Sequence, residues 1–177
     1  NETLTAGEID ANYFQHTPYL DTFNAENGTK LVAVAEIHYE PFALYPGTKV
    51  KLEELTTGDK IAVPNDGSNR ARALMLLEAA GLITLKEGVG LDATKADITA
   101  NPKNLEIVEL EAQLLPTTLQ DVDMAVINGN YAIDAGLNPV EDSLVIEGAF
   151  SAYANILAVK EGNENNPAIK ALVAALQ

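Results

Sequence analysis

The stretch Asp-Ala-Asn-Tyr-Phe-Gln-His-Thr-Pro-Tyr-Leu, residues 10–20, puts four rings (Tyr13, Phe14, His16, Tyr19) within seven positions and sets Asn12 and Gln15 among them. A buried core tolerates such a mixture poorly, because each polar group taken from water needs a partner. A cleft for a small amphipathic molecule is built from this mixture, with apolar walls and a few placed polar groups. Arg72 is a second candidate. It follows the capping cluster Asn65-Asp66-Gly67-Ser68-Asn69 in a run rich in helix formers. A guanidinium beside a helix N-terminus can hold both oxygens of a carboxylate; the competing reading is a surface arginine paired with Asp66 or Glu78. A third candidate is Asn128, in Ile127-Asn128-Gly129-Asn130-Tyr131, where two carboxamides follow an apolar strand. An amide there can donate to a carboxylate or accept from an ammonium, although Asn-Gly is also ordinary turn chemistry. Asn155 is the fourth, interrupting the apolar strand Tyr153–Val159. Its amide must be satisfied by a ligand or by neighbouring backbone.

Several chemistries lack their residues. The chain has 177 residues and no cysteine, so disulfides, thiolate nucleophiles and zinc ribbons are excluded. His16 and His38 are the only histidines and neither sits in a metal-ligand spacing, so no metal or cofactor is expected. No Gly-x-Ser-x-Gly elbow occurs, Gly88-Val89-Gly90-Leu91 lacks the third glycine of a dinucleotide fingerprint, and no phosphate loop is present. An enzyme is therefore not expected. Eleven Lys and Arg against 26 Asp and Glu give a net charge of −15, which opposes binding to nucleic acid or anionic membranes and reads as a solvated acidic surface. No apolar run approaches membrane-spanning length.

The elements that position these residues alternate in type. Thr17-Pro18 reads as an N-cap with Pro at the first helical position, Tyr19–Glu26 as a helix ended by Asn27-Gly28, and Lys30–Ile37 as a strand. A helical turn over Leu52–Leu55 precedes a strand over Lys60–Pro64, and a helix over Arg70–Ala80 stops at Gly81. Further strands are expected at Leu105–Leu110, Met124–Ile127 and Ala154–Val159, with a shorter one at Leu114–Leu119 broken by Pro116. Helices are expected at Ile133–Gly136 and Ala168–Leu176, the second amphipathic through Ile169, Leu172, Val173 and Leu176. Such alternation favours an α/β fold.

With these segments identified, the chain closely resembles the NlpA family of lipoproteins, the methionine-binding subunits of bacterial methionine ABC importers. The resemblance runs through Gly7–His16 with Pro18-Tyr19-Leu20, Val63-Pro64-Asn65-Asp66, Asn69 with Arg72, and Gly88-Val89-Gly90-Leu91. It continues through Asn101-Pro102-Lys103-Asn104-Leu105, Val108–Ala112, Ala125–Asn128 with Tyr131-Ala132, and Tyr153 with Asn155. It implies a two-lobed periplasmic-binding-protein-like (type II) α/β fold. One lobe would comprise 1–40 and 150–177, the other 41–149, with the ligand in a cleft between them.

By the same resemblance Arg72 would bind an amino-acid carboxylate, and Asn128 and Asn155 its carboxylate or ammonium. Phe14, His16 and Tyr19 would wall the side-chain pocket, where rings suit a polarizable thioether. Tyr39 and Asn69 stand behind them as further candidates. The implied function is capture of free methionine by hinge closure for a membrane permease, in the cell envelope outside the cytoplasmic membrane, from a lipid-anchored parent. Alternatives are another small apolar amino acid, a methionine-containing dipeptide, or a self-associating fragment. Against the family pattern, the chain is expected to lack an opening strand–helix–strand with one pocket aromatic, the lipid-bearing cysteine and a C-terminal stretch. That would leave the first lobe incomplete, with a sheet edge open to pairing.

Overall fold

A computed structural model describes residues 1–148 and 153–177. The chain divides into two compact units, residues 1–40 together with 149–177, and residues 41–148. The lobe crossing expected at 149–150 lies outside the described residues. Among the described residues no helix is long and apolar enough to cross a membrane.

The discontinuous unit is a three-stranded antiparallel sheet with β10 (Ala154–Lys160) between β1 (Ala11–His16) and β2 (Leu31–Tyr39). Alternation along β10 sends Ile156 and Ala158 to one face, where they pack with Leu4 of α1 (Glu2–Ala6) and Leu20 of α2 (Thr17–Asn27). Leu157 and Val159 go to the other face, against Ile169 of α5 (Pro167–Leu176). One detail corrects the sequence reading: α2 is capped by His16, one residue before Thr17. The His16 imidazole Nδ1 accepts from the Tyr19 backbone N–H at 3.2 Å, its lone pair taking the place of the usual side-chain oxygen. At the other end Gly28, at φ 63°, closes the helix in the left-handed conformation.

The continuous unit carries a five-stranded sheet in the order β7-β4-β8-β3-β9, formed by β3 (Ala43–Pro46), β4 (Lys60–Pro64), β7 (Glu106–Leu110), β8 (Met124–Ile127) and β9 (Val145–Ile146). The three central strands are buried on both faces, which is why they read as unbroken apolar runs. On one face Phe42, Leu44, Ile61, Val63, Met124 and Val126 pack beneath α3 (Gly67–Ala79), which contributes Ala71, Leu74 and Leu77. On the opposite face Ala43, Tyr45, Ala62, Ala125 and Ile127 meet Leu115, Val122 and Ala132 of α4 (Gly129–Asp134). A two-stranded ribbon, β5 (Thr84–Leu85) with β6 (Ile98–Ala100), completes the unit.

Two expected elements differ. Leu114–Leu119 is not a strand: residues Ala112–Thr118 form a 3-10 helix containing Pro116. Proline cannot donate to a sheet ladder, and the Thr117 and Thr118 hydroxyls donate to the Leu114 and Leu115 carbonyls at 2.8 Å, holding the tight winding. The helix expected at Ile133–Gly136 begins four residues earlier, at Gly129, with Asn128 at the N-cap position. Asn128-Gly129 is therefore a helix start and not a turn.

Candidate functional site

Strand alternation in the continuous unit decides which side chains meet. Ala43 lies opposite both Ile127 and Ile146, and all three belong to the face away from α3. One residue further out, Phe42, Asn128 and Glu147 turn to the α3 face at the same end of the sheet. This is the C-terminal end of parallel strands β4 and β8, where open α/β sheets place their ligands. The first turns of α3 supply Asn69 and Arg72, three residues apart and so on one helix face.

The polar groups there form a directed chain. Asp66 caps α3, its Oδ1 accepting from the Asn69 backbone N–H at 3.0 Å and from the Ser68 hydroxyl at 3.2 Å. Both Asp66 oxygens also accept from Asn69 Nδ2 at 3.1 Å. A carboxylate only accepts, so Asn69 must present its Oδ1 outward, and that oxygen accepts from Asn128 Nδ2 at 3.1 Å. The orientation of the Asn128 amide follows. Its Oδ1 is buried and, among the described residues, has no hydrogen-bond partner. Although Asn128 sits at an N-cap, its side chain does not cap α4. The amide is held in another direction, leaving a fixed, desolvated acceptor suited to an ammonium or other N–H donor.

Arg72 is only 3% exposed, so the surface reading of this arginine is overturned. Its partner is neither Asp66, which caps the helix, nor Glu78, whose carboxylate accepts from the Leu85 backbone N–H at 2.7 Å. The guanidinium pairs instead with Glu147: Nε donates to Oε1 and Oε2, both at 2.9 Å, and Nη2 donates to Oε2. The Phe42 ring lies against the guanidinium, with its centroid 4.6 Å from Cζ. The Glu147 backbone N–H donates to the Phe42 carbonyl at 2.8 Å, so the strands carrying ring and carboxylate are tied together.

In the discontinuous unit the rings gather around the β1–α2 junction. The pairing of β1 with β10 skips a residue between Tyr13 and Gln15, making Phe14 the extra residue of a bulge. Bulges re-aim side chains, and Phe14 is 55% exposed. It meets Tyr19 edge-on with centroids 6.1 Å apart. His16 is buried and edge-on to both Tyr19, at 6.3 Å, and Tyr153, at 5.1 Å. Because Nδ1 of His16 accepts the cap bond, its ring carries the proton on Nε2. Asn155 is buried on β10 directly between His16 of β1 and His38 of β2. Gln15 points away into a network of amides, donating to Asn1 Oδ1 at 2.7 Å and Asn12 Oδ1 at 2.8 Å. Tyr39 ends β2 opposite Ala154.

The sequence candidates thus fall into two groups, Arg72, Asn128 and Asn69 in one unit and Phe14, His16, Tyr19 and Asn155 in the other. Three partners were not read from the sequence. Tyr153 belongs to the ring group. Phe42 and Glu147 complete the arginine group, and a signal for Glu147 was present: in Leu144-Val145-Ile146-Glu147 it holds the same parity as half-buried Val145, which packs against the α3-side core. His38 is used on the surface, where Tyr13 Oη bonds its Nδ1 and Glu40 lies 2.9 Å from its Nε2. Burial and the Glu40 charge push the Tyr13 phenol above its ordinary pKa. Among the described residues no group of three or more His, Cys, Asp or Glu is placed to hold a metal ion.

Comparison with known proteins gives a concordant result. The D-methionine-binding lipoprotein MetQ of Escherichia coli is 47% identical over 179 residues, an alignment that covers 100% of this chain and 66% of MetQ. The chain thus spans just under two thirds of that relative's length. A periplasmic substrate-binding protein of an ABC transporter from Coxiella burnetii is 51% identical, with a TM-score of 0.95 over 99% of this chain and 74% of its own. A nutrient-binding protein from Burkholderia cenocepacia, solved bound to methionine, is 46% identical, with a TM-score of 0.95 and the same coverage. The mixed α/β fold is accordingly that of substrate-binding proteins. The NlpA lipoprotein family model matches residues 1–177, and the chain belongs to that family.

Proposed function

We propose that this chain is the ligand-binding part of a substrate-binding protein that captures free methionine and delivers it to the permease of an ABC importer, performing no chemistry on it. The observation that carries the reading is the pairing of a buried, ring-backed guanidinium with a fixed and unpartnered amide oxygen, Arg72 and Asn128 Oδ1, at the ligand end of one sheet. An α-amino acid offers the complement of both groups. Its carboxylate would be held by Arg72 and its ammonium would donate to Asn128. The rings of Phe14, His16 and Tyr19 would receive a thioether, with Asn155 satisfied by the ligand's polar end and Tyr39 and Asn69 as supporting groups. Ligand that engages groups from both units favours the closed state of a hinge, which is how capture and release would be coupled. The relatives named for methionine binding support the choice of ligand. The relatives named as a lipoprotein and as a periplasmic substrate-binding protein support a place in the cell envelope, outside the cytoplasmic membrane.

Isothermal titration of the chain with L-methionine, beside an Arg72→Lys variant, tests this reading. Lysine keeps a cation next to Glu147 but removes the planar fork, so the variant should bind at least about tenfold more weakly. A folded chain that takes up no methionine would overturn the assignment.

A further inference from the structure

Glu147 belongs to no group read from the sequence, yet its carboxylate accepts from both Nε and Nη2 of Arg72. The side chains of the pair are 7% and 4% exposed. Stability does not account for such a pair, since well-packed apolar residues in place of a buried ion pair are often as stable or more so. Its position is informative: it lies at the ligand end of the sheet, on the same face as the unpartnered Asn128 oxygen. Two physical consequences follow from the geometry. First, Glu147 grips the Nε–Nη2 edge of the guanidinium while Phe42 lies against its face. Together they fix the plane of the Arg72 guanidinium. Second, the charges of the two side chains offset each other within the pair.

We infer that Glu147 is the residue that restricts this site to zwitterionic α-amino acids. A ligand carrying only a carboxylate would bring an uncompensated negative charge beside Glu147, away from water, which is costly. An amino acid brings an ammonium with its carboxylate and adds no net charge. The Asn128 oxygen offers that ammonium an acceptor. Glu147 is thus a positioning and specificity residue that acts through charge and through the pose of Arg72.

The inference rests on the amino-acid-binding reading, and the experiment separates the two. L-Methionine and 4-(methylthio)butanoate, the same molecule without its ammonium, are titrated into the 177-residue chain and into Glu147→Gln and Glu147→Asp variants. The unaltered chain should prefer methionine by about a hundredfold or more. Glu147→Gln should narrow that preference by about tenfold, with methionine losing affinity and the des-amino acid losing little or gaining. Glu147→Asp keeps the charge but not the reach, and should weaken both ligands while preserving most of the preference. If the unaltered chain binds both ligands alike, or Glu147→Gln leaves the ratio unchanged, Glu147 does not set selectivity and the inference falls while methionine binding stands. An Asp variant that narrows the ratio as far as the Gln variant removes the charge account. Binding of neither ligand by the unaltered chain overturns the functional reading and this inference with it.

Discussion

At Arg72 the part a side chain plays in stability can be separated from the ligand binding proposed for it. Truncating it leaves the Glu147 carboxylate buried without its cation, a penalty of about 3–5 kcal/mol by the general behaviour of buried pairs. The loss in an Arg72→Met variant therefore measures mostly the stranded carboxylate and little of the pair's net worth. Replacing both partners removes the stranded charge as well. An Arg72→Met, Glu147→Leu double variant should recover to within about 1–2 kcal/mol of the parent in urea denaturation, while losing methionine binding as completely as the single variant. A double variant as unstable as the single one would show that the pair holds the fold by more than mutual neutralisation. Asn128 shows a different residue-scale logic. Its amide is oriented by a carboxylate two side chains away, so what looks in sequence like a turn asparagine is the end of the Asp66–Asn69–Asn128 chain.

At the scale of elements, a polar atom inside a strand makes its own prediction. Tyr45 of β3 is fully buried, and its hydroxyl has no hydrogen-bond partner among the described residues. Burial first, and the Asp142 charge second, push its pKa up to about 12. Tyr45→Phe should gain on the order of 1 kcal/mol at neutral pH, because it removes an unsatisfied buried group and keeps the ring. The sign of the pH effect follows from the shift. Below pH 10 the phenol is protonated in both the folded and unfolded chain. Between 10 and about 12 only the unfolded form ionises, so the parent loses stability over that window and the Phe variant is spared this part of the loss. Urea midpoints of the two proteins that stay parallel from pH 8 to 12 would count against it. Elements of this kind were legible wherever period and punctuation agreed. The runs Lys60–Pro64 and Met124–Ile127 are strands as read, and Gly28 ends α2 as expected. What was not legible depends on partners distant in sequence. The Phe14 bulge exists only in the register with β10, and Arg72 finds its carboxylate 75 positions away. His16 caps α2 through a nitrogen that no hydroxyl-based rule anticipates.

On the scale of the whole molecule, the two units are built from the chain in different ways, and this predicts different autonomy. All five strands of the larger sheet, both of its apolar clusters and the Arg72–Glu147 pair lie within residues 41–148. Its first and last segments are also joined, since the Glu147 N–H donates to the Phe42 carbonyl and the Glu147 carboxylate reaches Arg72 at the start of α3. A continuous segment with its own core and adjacent ends has what independent folding requires. The smaller unit instead takes its central strand, β10, from a segment that returns after the whole of 41–148, so β1 and β2 meet it only when the intervening chain brings it back. Residues 41–148 expressed alone should therefore unfold in a single cooperative transition, seen by far- and near-ultraviolet circular dichroism in urea. The ion pair provides an internal check. Because both partners belong to this unit, Arg72→Met should cost the isolated segment the same free energy as it costs the full chain, to within about 0.5 kcal/mol. A segment with helix but no near-ultraviolet signal would mean that the native packing of 41–148 requires the rest of the chain. A penalty much smaller in the segment would mean that the carboxylate of Glu147 is buried only when residues outside 41–148 cover it.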